Sequence, residues 1–140
     1  KSFEKIKNIL TCLGSEYDYS QEDVKDAIKK TSQFNLYHLP TGFKIDFWLA
    51  KMDDFDKNKF ARCTIVQIRN QNIPIISAED LILNKLKWSR EVRSERHLRD
   101  CWEIIKFQGE KLDKKYLSEW VKKLHLEKLY KEVSSTDSNY

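Results

Sequence analysis

The chain has 140 residues and a mass of 16.8 kDa; 40% of its residues are hydrophobic, 34% are charged, and the net charge is +4. That describes one ordinary globular domain, able to bury a core without metal or disulfide staples, and the mild charge permits a phosphate-bearing ligand without demanding nucleic acid. No apolar run approaches the 18 residues of a membrane span, no signal peptide is visible, and Cys12, Cys63 and Cys101 form no CxxC pair; zinc and dithiol redox sites are not expected, and the expectation is a cytoplasmic protein with reduced core thiols.

Residues 2–13 place Phe3, Ile6, Ile9, Leu10 and Leu13 on one helical face, and Gly14 stops that helix. Ser20 with Asp23 resembles a capping box and opens a second helix through Val24, Ala27 and Ile28. The period then shortens to two. "QFNLYHL" and "FKIDFWLAK" flank "PTG" and read as a hairpin. Phe43, Ile45, Phe47 and Leu49 alternate with Lys44, Asp46, Trp48 and Ala50, so the stronger apolar set is expected to face helices and Asp46 the open side of the sheet.

"DFDKNKFA" (54–61) reads as a short helix or turn, and "CTIVQIRNQNIPIIS" as one or two strands interrupted near Asn70, Gln71 and Asn72. From Ser77 onward the pattern is helical. Ser77 with Asp80 caps "AEDLILNKLKWSRE"; "SERHLRDCWEIIKFQ" runs to Gly109; Asp113 caps "KKYLSEWVKKLH"; and "EKLYKEV" follows. Leu98, Cys101, Trp102 and Ile105 form one stripe, and Tyr116, Leu117, Trp120, Val121 and Leu124 another. Both are core-packing faces. The fold class is therefore α+β: a small mixed β-sheet from the middle third and a C-terminal helical bundle, as a single domain over residues 1–133 with a disordered tail over 134–140.

An acid in mid-strand is costly where it is poorly solvated, unless a cation answers it. Asp46 therefore has two readings: an edge-strand acid paired with Lys44 or an arginine, or a metal ligand. Lys85 sits four residues after Leu81 and three before Trp88, on a face shared with buried positions, so its ammonium needs an anion: Asp100 or a phosphate. A solvated, snorkelling lysine is the other reading. Arg93, Arg96 and Arg99 recur at helical spacing beside His97, as a solvated face or a phosphate contact. No nucleophile signature accompanies His38 or His97, and His125 stands at a helix end.

In order and spacing, "GFKIDFWLA", "IPIISAEDLILNKLKWSR", "RHLRDCWEII" and "DKKYLSEWVKKL" resemble the C-terminal two-thirds of bacterial nucleotidyltransferase-fold (polymerase-β-like) proteins, in particular the small families allied to abortive-infection nucleotidyltransferase toxins. The resemblance covers roughly residues 2–133. In that superfamily a Gly-Ser or Gly-Gly turn leads to an Asp-x-Asp strand, and a third acid comes from a later strand. The acids hold two Mg²⁺ ions about 3.5–4 Å apart.

The resemblance implies that Asp46 is that third, metal-binding and catalytic acid, and that Lys85, Arg99 and Asp100 contact the substrate. It implies an NTP as substrate, Mg²⁺ as cofactor in the complete protein, and a protein or small-molecule hydroxyl as acceptor; nucleic acid is possible but not indicated. The relatives often carry a second Asp three residues after the first, where this chain has Glu103. "LGSEYDY" (13–19) follows a helix, and its Asp18 comes too early after Gly14-Ser15 with no second acid at the x-Asp position, so it reads as a helix stop, not the catalytic turn. Because the chain opens at Lys1 inside a helical pattern and without Met, the N-terminal strands are expected to be missing and the chain alone to be inactive. A non-catalytic nucleotide- or protein-binding member of the fold, such as a toxin–antitoxin component, is the alternative.

Overall fold

The computed structural model describes residues 3–135. The α+β class holds. In chain order the elements are α1 (Phe3–Thr11), β1 (Tyr17–Asp18), α2 (Gln21–Lys30), β2 (Gln33–His38), β3 (Phe43–Trp48), α3 (Asp54–Ala61), β4 (Thr64–Ile68), β5 (Gln71–Ile75), α4 (Ala78–Glu91), α5 (Glu95–Gln108), a 3₁₀ turn (Gly109–Lys111), α6 (Lys114–Lys123) and α7 (Glu127–Ser134). The expected mixed sheet is instead two small antiparallel ones, ordered β1-β2-β3 and β4-β5. The connections explain this: Leu39–Gly42 and Arg69–Asn70 are far too short for the crossover that parallel strands need. The chain divides into two compact units, Lys1–Lys57 and Asn58–Tyr140. Of the expected disordered tail, residues 136–140 lie outside the described residues; α7 includes Ser134.

In the first unit α1 and α2 lay their apolar faces against β2. Leu10, Val24, Ala27, Phe34 and Leu36 are buried together, with Phe47 and Leu49 packed on them. The Ser20 hydroxyl caps α2 by accepting from the Asp23 amide. Phe34 stacks on Phe47, with ring centroids 5.2 Å apart and nearly parallel planes. Phe43 and Ile45, expected to face helices, are exposed. Their strand forms the sheet edge, and α2 packs on β2 rather than β3. Asp53 accepts from the Asp56 amide and Asp56 from the Met52 amide, so this acidic run fixes the start of α3.

In the second unit the helical stripes close over one another. Ile82, Leu83 and Leu86 of α4, Leu98 and Cys101 of α5, Leu117 and Val121 of α6 and Val133 of α7 are all buried. Ser77, Ser94 and Asp113 cap α4, α5 and α6 through their side-chain oxygens. After α6, His125 takes a left-handed conformation (φ 54°), and the Leu126 amide reaches back to the Val121 carbonyl. That is a Schellman closure made without glycine. The two-residue turn Arg69–Asn70, with φ of 46° and 64°, has type I′ geometry.

Candidate functional site

Asp46 lies on β3 opposite Asn35 of β2, on the sheet face shared with Lys44 and Trp48. Its side chain is 42% exposed, and its Oδ1 is 3.1 Å from the Lys44 ammonium. The face is open, as the alternation predicts. The premise of a poorly solvated carboxylate, however, does not hold: water and Lys44 answer the charge, so its position costs little. The Asn35 Oδ1 beside it is buried without a hydrogen-bond partner.

Lys85 and Asp100 come together across α4 and α5. The Lys85 Nζ donates to Asp100 Oδ2 at 2.6 Å, with the lysine side chain 16% and the aspartate 32% exposed. The helical spacing of Lys85 therefore delivers one of the two anions expected for it. Arg99 lies on the exposed side of α5. Asp46 belongs to the first unit and these three residues to the second.

His97 adjoins the Lys85–Asp100 pair. Its ring tilts against Trp88 with centroids 5.5 Å apart, and its Nδ1 is buried without a partner. Burial holds its pKa below the ordinary histidine value, reinforced by Lys85 and Arg96 and opposed by Asp100. The Cys101 thiol, pushed up to about 12 mainly by burial, is no nucleophile at neutral pH; its Sγ faces the Ile82 carbonyl.

A second polar cluster escapes sequence reasoning. Asp80, fully buried, receives the Ser77 hydroxyl at 2.8 Å and the Tyr116 hydroxyl at 2.6 Å. Arg62 lies 3.6 Å from both Asp80 and Glu79, with its guanidinium 3.8 Å above the Tyr116 ring. Glu79 also accepts from the Asp113 amide at 2.9 Å. Tyr116 is within 3.0 Å of Asn58 Oδ1 as well. A phenol has one proton and gives it to the carboxylate, so the Asn58 amide satisfies the phenol best with its NH₂ turned inward. The "SAED" capping pattern marks Ser77 and Asp80, but nothing local points to Arg62 or Tyr116.

The fit of Mg²⁺ can be judged from these positions. The ion takes six oxygens in near-octahedral order. Asp46 offers one carboxylate, already facing an ammonium, and among the described residues no group of three or more His, Cys, Asp or Glu side chains is placed to hold a metal. The described residues do not form a magnesium site by themselves. No known protein family, curated protein or solved structure matches the chain. Among the described residues no helix is long and apolar enough to cross a membrane.

Proposed function

We propose that this chain is part of a nucleotidyltransferase-like protein that transfers a nucleotidyl group from an NTP to a hydroxyl of a protein or small molecule. The observation that supports this reading is the position of Asp46: on the exposed face of an edge strand, with the outer edge of β3 unpaired among the described residues. A further strand beside β3 would set its own acids next to Asp46. The reading requires two such acids beyond the described residues. Taken by itself, the second unit offers Lys85, paired with Asp100, and Arg99 as cationic groups able to bind phosphate.

A second reading, a non-catalytic nucleotide- or protein-binding module, draws support from the two ion pairs. Lys44 answers Asp46 and Asp100 answers Lys85, so neither charge demands a ligand. Incubation with labelled NTPs, Mg²⁺ and candidate acceptors separates the readings. The 140-residue chain is expected to incorporate nothing. The full gene product is expected to incorporate label and to lose that ability with Asp46→Asn. Activity that survives D46N sinks the catalytic assignment, and a full gene product that binds NTPs without transfer favours the module.

A further inference from the structure

The loop that joins β2 to β3 brings a hydroxyl against an imidazole. Nδ1 of His38 lies 2.7 Å from Oγ1 of Thr41, and Nε2 lies 3.8 Å from Oε2 of Glu16. The sequence shows no nucleophile signature beside His38; the turn supplies the nucleophile, and the segment leading into β1 supplies an acid. Backbone hydrogen bonds hold all three members. The His38 carbonyl accepts from the Thr41 and Gly42 amides at 3.3 and 2.8 Å, and the Leu39 amide donates to the Glu16 carbonyl at 2.8 Å. The Tyr17 ring, opposite His38 in the β1–β2 ladder, tilts against the imidazole with centroids 4.8 Å apart.

The three groups complement one another chemically. The Glu16 carboxylate favours the tautomer with its proton on Nε2, which leaves the Nδ1 lone pair to accept from the Thr41 hydroxyl. A nucleophile within hydrogen-bond reach of a base, itself oriented by a third group, is the arrangement that activates a hydroxyl. The Phe43 amide donates to the same Thr41 oxygen at 3.4 Å, so the hydroxyl is held from two sides. Thr41 is exposed while the His38 side chain is only 22% exposed, so an electrophile can reach the oxygen as the ring stays fixed.

The surroundings select the electrophile. The charged side chain that meets the imidazole is a carboxylate, which repels phosphate, and exposed Leu39 and Phe43 flank the turn. The Thr41 and Gly42 amides are committed to the His38 carbonyl and offer a tetrahedral oxyanion little. A reacting partner must therefore be uncharged and apolar and carry a good leaving group. We propose that Thr41 is an acyl-acceptor site: its hydroxyl takes the acyl group of an activated ester, with His38 as general base and Glu16 as a positioning residue. The Thr41 oxygen bonds to the acyl carbon as His38 Nδ1 takes the hydroxyl proton. The tetrahedral intermediate then expels the leaving group with the electron pair of its bond, and the proton passes from His38 to that group or to water. The product is a slowly formed O-acyl threonine. The site shares no residue with Asp46 or with the Lys85–Asp100 pair.

Acetylation of the 140-residue chain by p-nitrophenyl acetate, read residue by residue by peptide mass spectrometry, tests the proposal. Hydroxylamine removes acetyl esters and spares acetylated lysines, so the two are told apart. Thr41 is expected to react about 10²-fold faster than the exposed Thr64 of β4, the low end of general-base catalysis. His38→Gln is expected to remove most of that advantage and Thr41→Val the label at this position, whereas Thr41→Ser keeps it, all with the circular dichroism of the parent. Glu16→Gln is expected to slow Thr41 and not Thr64, and about 1 M salt, which screens an exposed carboxylate, to abolish that difference. Thr41 acetylated no faster than Thr64 in the unmodified chain, or at an undiminished rate in His38→Gln, overturns the proposal.

Discussion

Tyr116→Phe removes one hydroxyl and nothing else, yet it strikes the most buried charge of the second unit. The Tyr116 oxygen lies 2.6 Å from Oδ1 of Asp80, whose side chain is fully enclosed. Its loss leaves Oδ1 without its phenol donor; Ser77 serves Oδ2, and Arg62 is no nearer than 3.6 Å. A hydrogen bond to a charged group contributes about 1.5–3 kcal/mol, and the space a phenol oxygen vacates is too small to admit water. The ring and its contact with Arg62 survive, so packing losses are minor. The expected destabilisation is about 2–3 kcal/mol, and one kcal/mol moves the midpoint of a domain of 60–100 residues by about 4–8 °C.

Urea unfolding followed by tryptophan fluorescence measures it, since Trp88, Trp102 and Trp120 all report on the second unit. The decisive comparison is a double-mutant cycle with Asp80→Asn. The cost of Y116F should shrink by at least about 1 kcal/mol when the acceptor carries no charge. An equal cost in both backgrounds, or one below about 0.5 kcal/mol, would refute a charge-assisted bond. The phenol adds a pH signature. Burial first, and the Asp80 carboxylate second, raise the Tyr116 pKa above the ordinary value of 10.0. The folded state therefore holds the proton more tightly, and this contribution is complete below pH 10 and lost as the pH climbs beyond it.

His97 acts in the opposite sense. Its folded pKa lies below 6.5, so the unfolded chain takes the proton first, and stability should fall as pH drops from about 6.5 through the folded value; denaturation curves between pH 5 and 8 should lose that slope in His97→Phe. Thiol labelling of the native protein should modify exposed Cys12 readily and leave Cys101 untouched until unfolding, because its thiol is enclosed and pushed up to about 12. His125→Gly should stabilise by about 0.5–1 kcal/mol in thermal melts, because the left-handed position after α6 costs a residue with a Cβ more than it costs glycine.

Long, capped helices were the most legible part of the sequence. Ser77 and Asp113 announce their helices within four residues, and a 3.6-residue stripe needs no knowledge of what it packs on. The hairpin of β2 and β3 was legible for a similar reason, since "PTG" and a period of two are local signals. The turn at Arg69–Asn70 sits at the leading edge of the expected interruption. Asn70 favours the left-handed region, but nothing in the sequence signals that Arg69 adopts it too. The Arg62–Asp80–Tyr116 cluster was not legible, because its members lie 18 and 36 residues apart and meet only through tertiary packing. The Lys85–Asp100 pair spans 15 residues, yet Asp100 was one of the two anions expected from the burial of the lysine's helical face.

Asp46 is the most instructive position: its open face and its ion pair with Lys44 were among the expectations, but a period of two states which face a residue is on and not what covers that face. With β3 at the edge, Asp46 is bathed in water and neutralised by Lys44, and a metal adds little to its energetics. A strand laid along β3 would change that balance. It would shield the carboxylate, strengthen its field by lowering the local dielectric, and raise the cost of leaving it answered by a single flexible lysine. Phe43 and Ile45, exposed on the opposite face, would gain cover from the same strand. The catalytic reading thus needs an occupied β3 edge and acids on the strand that occupies it. An edge occupied by a strand that brings further acids makes a cation beside Asp46 worth holding; an open edge leaves Asp46 as one half of an ordinary surface ion pair.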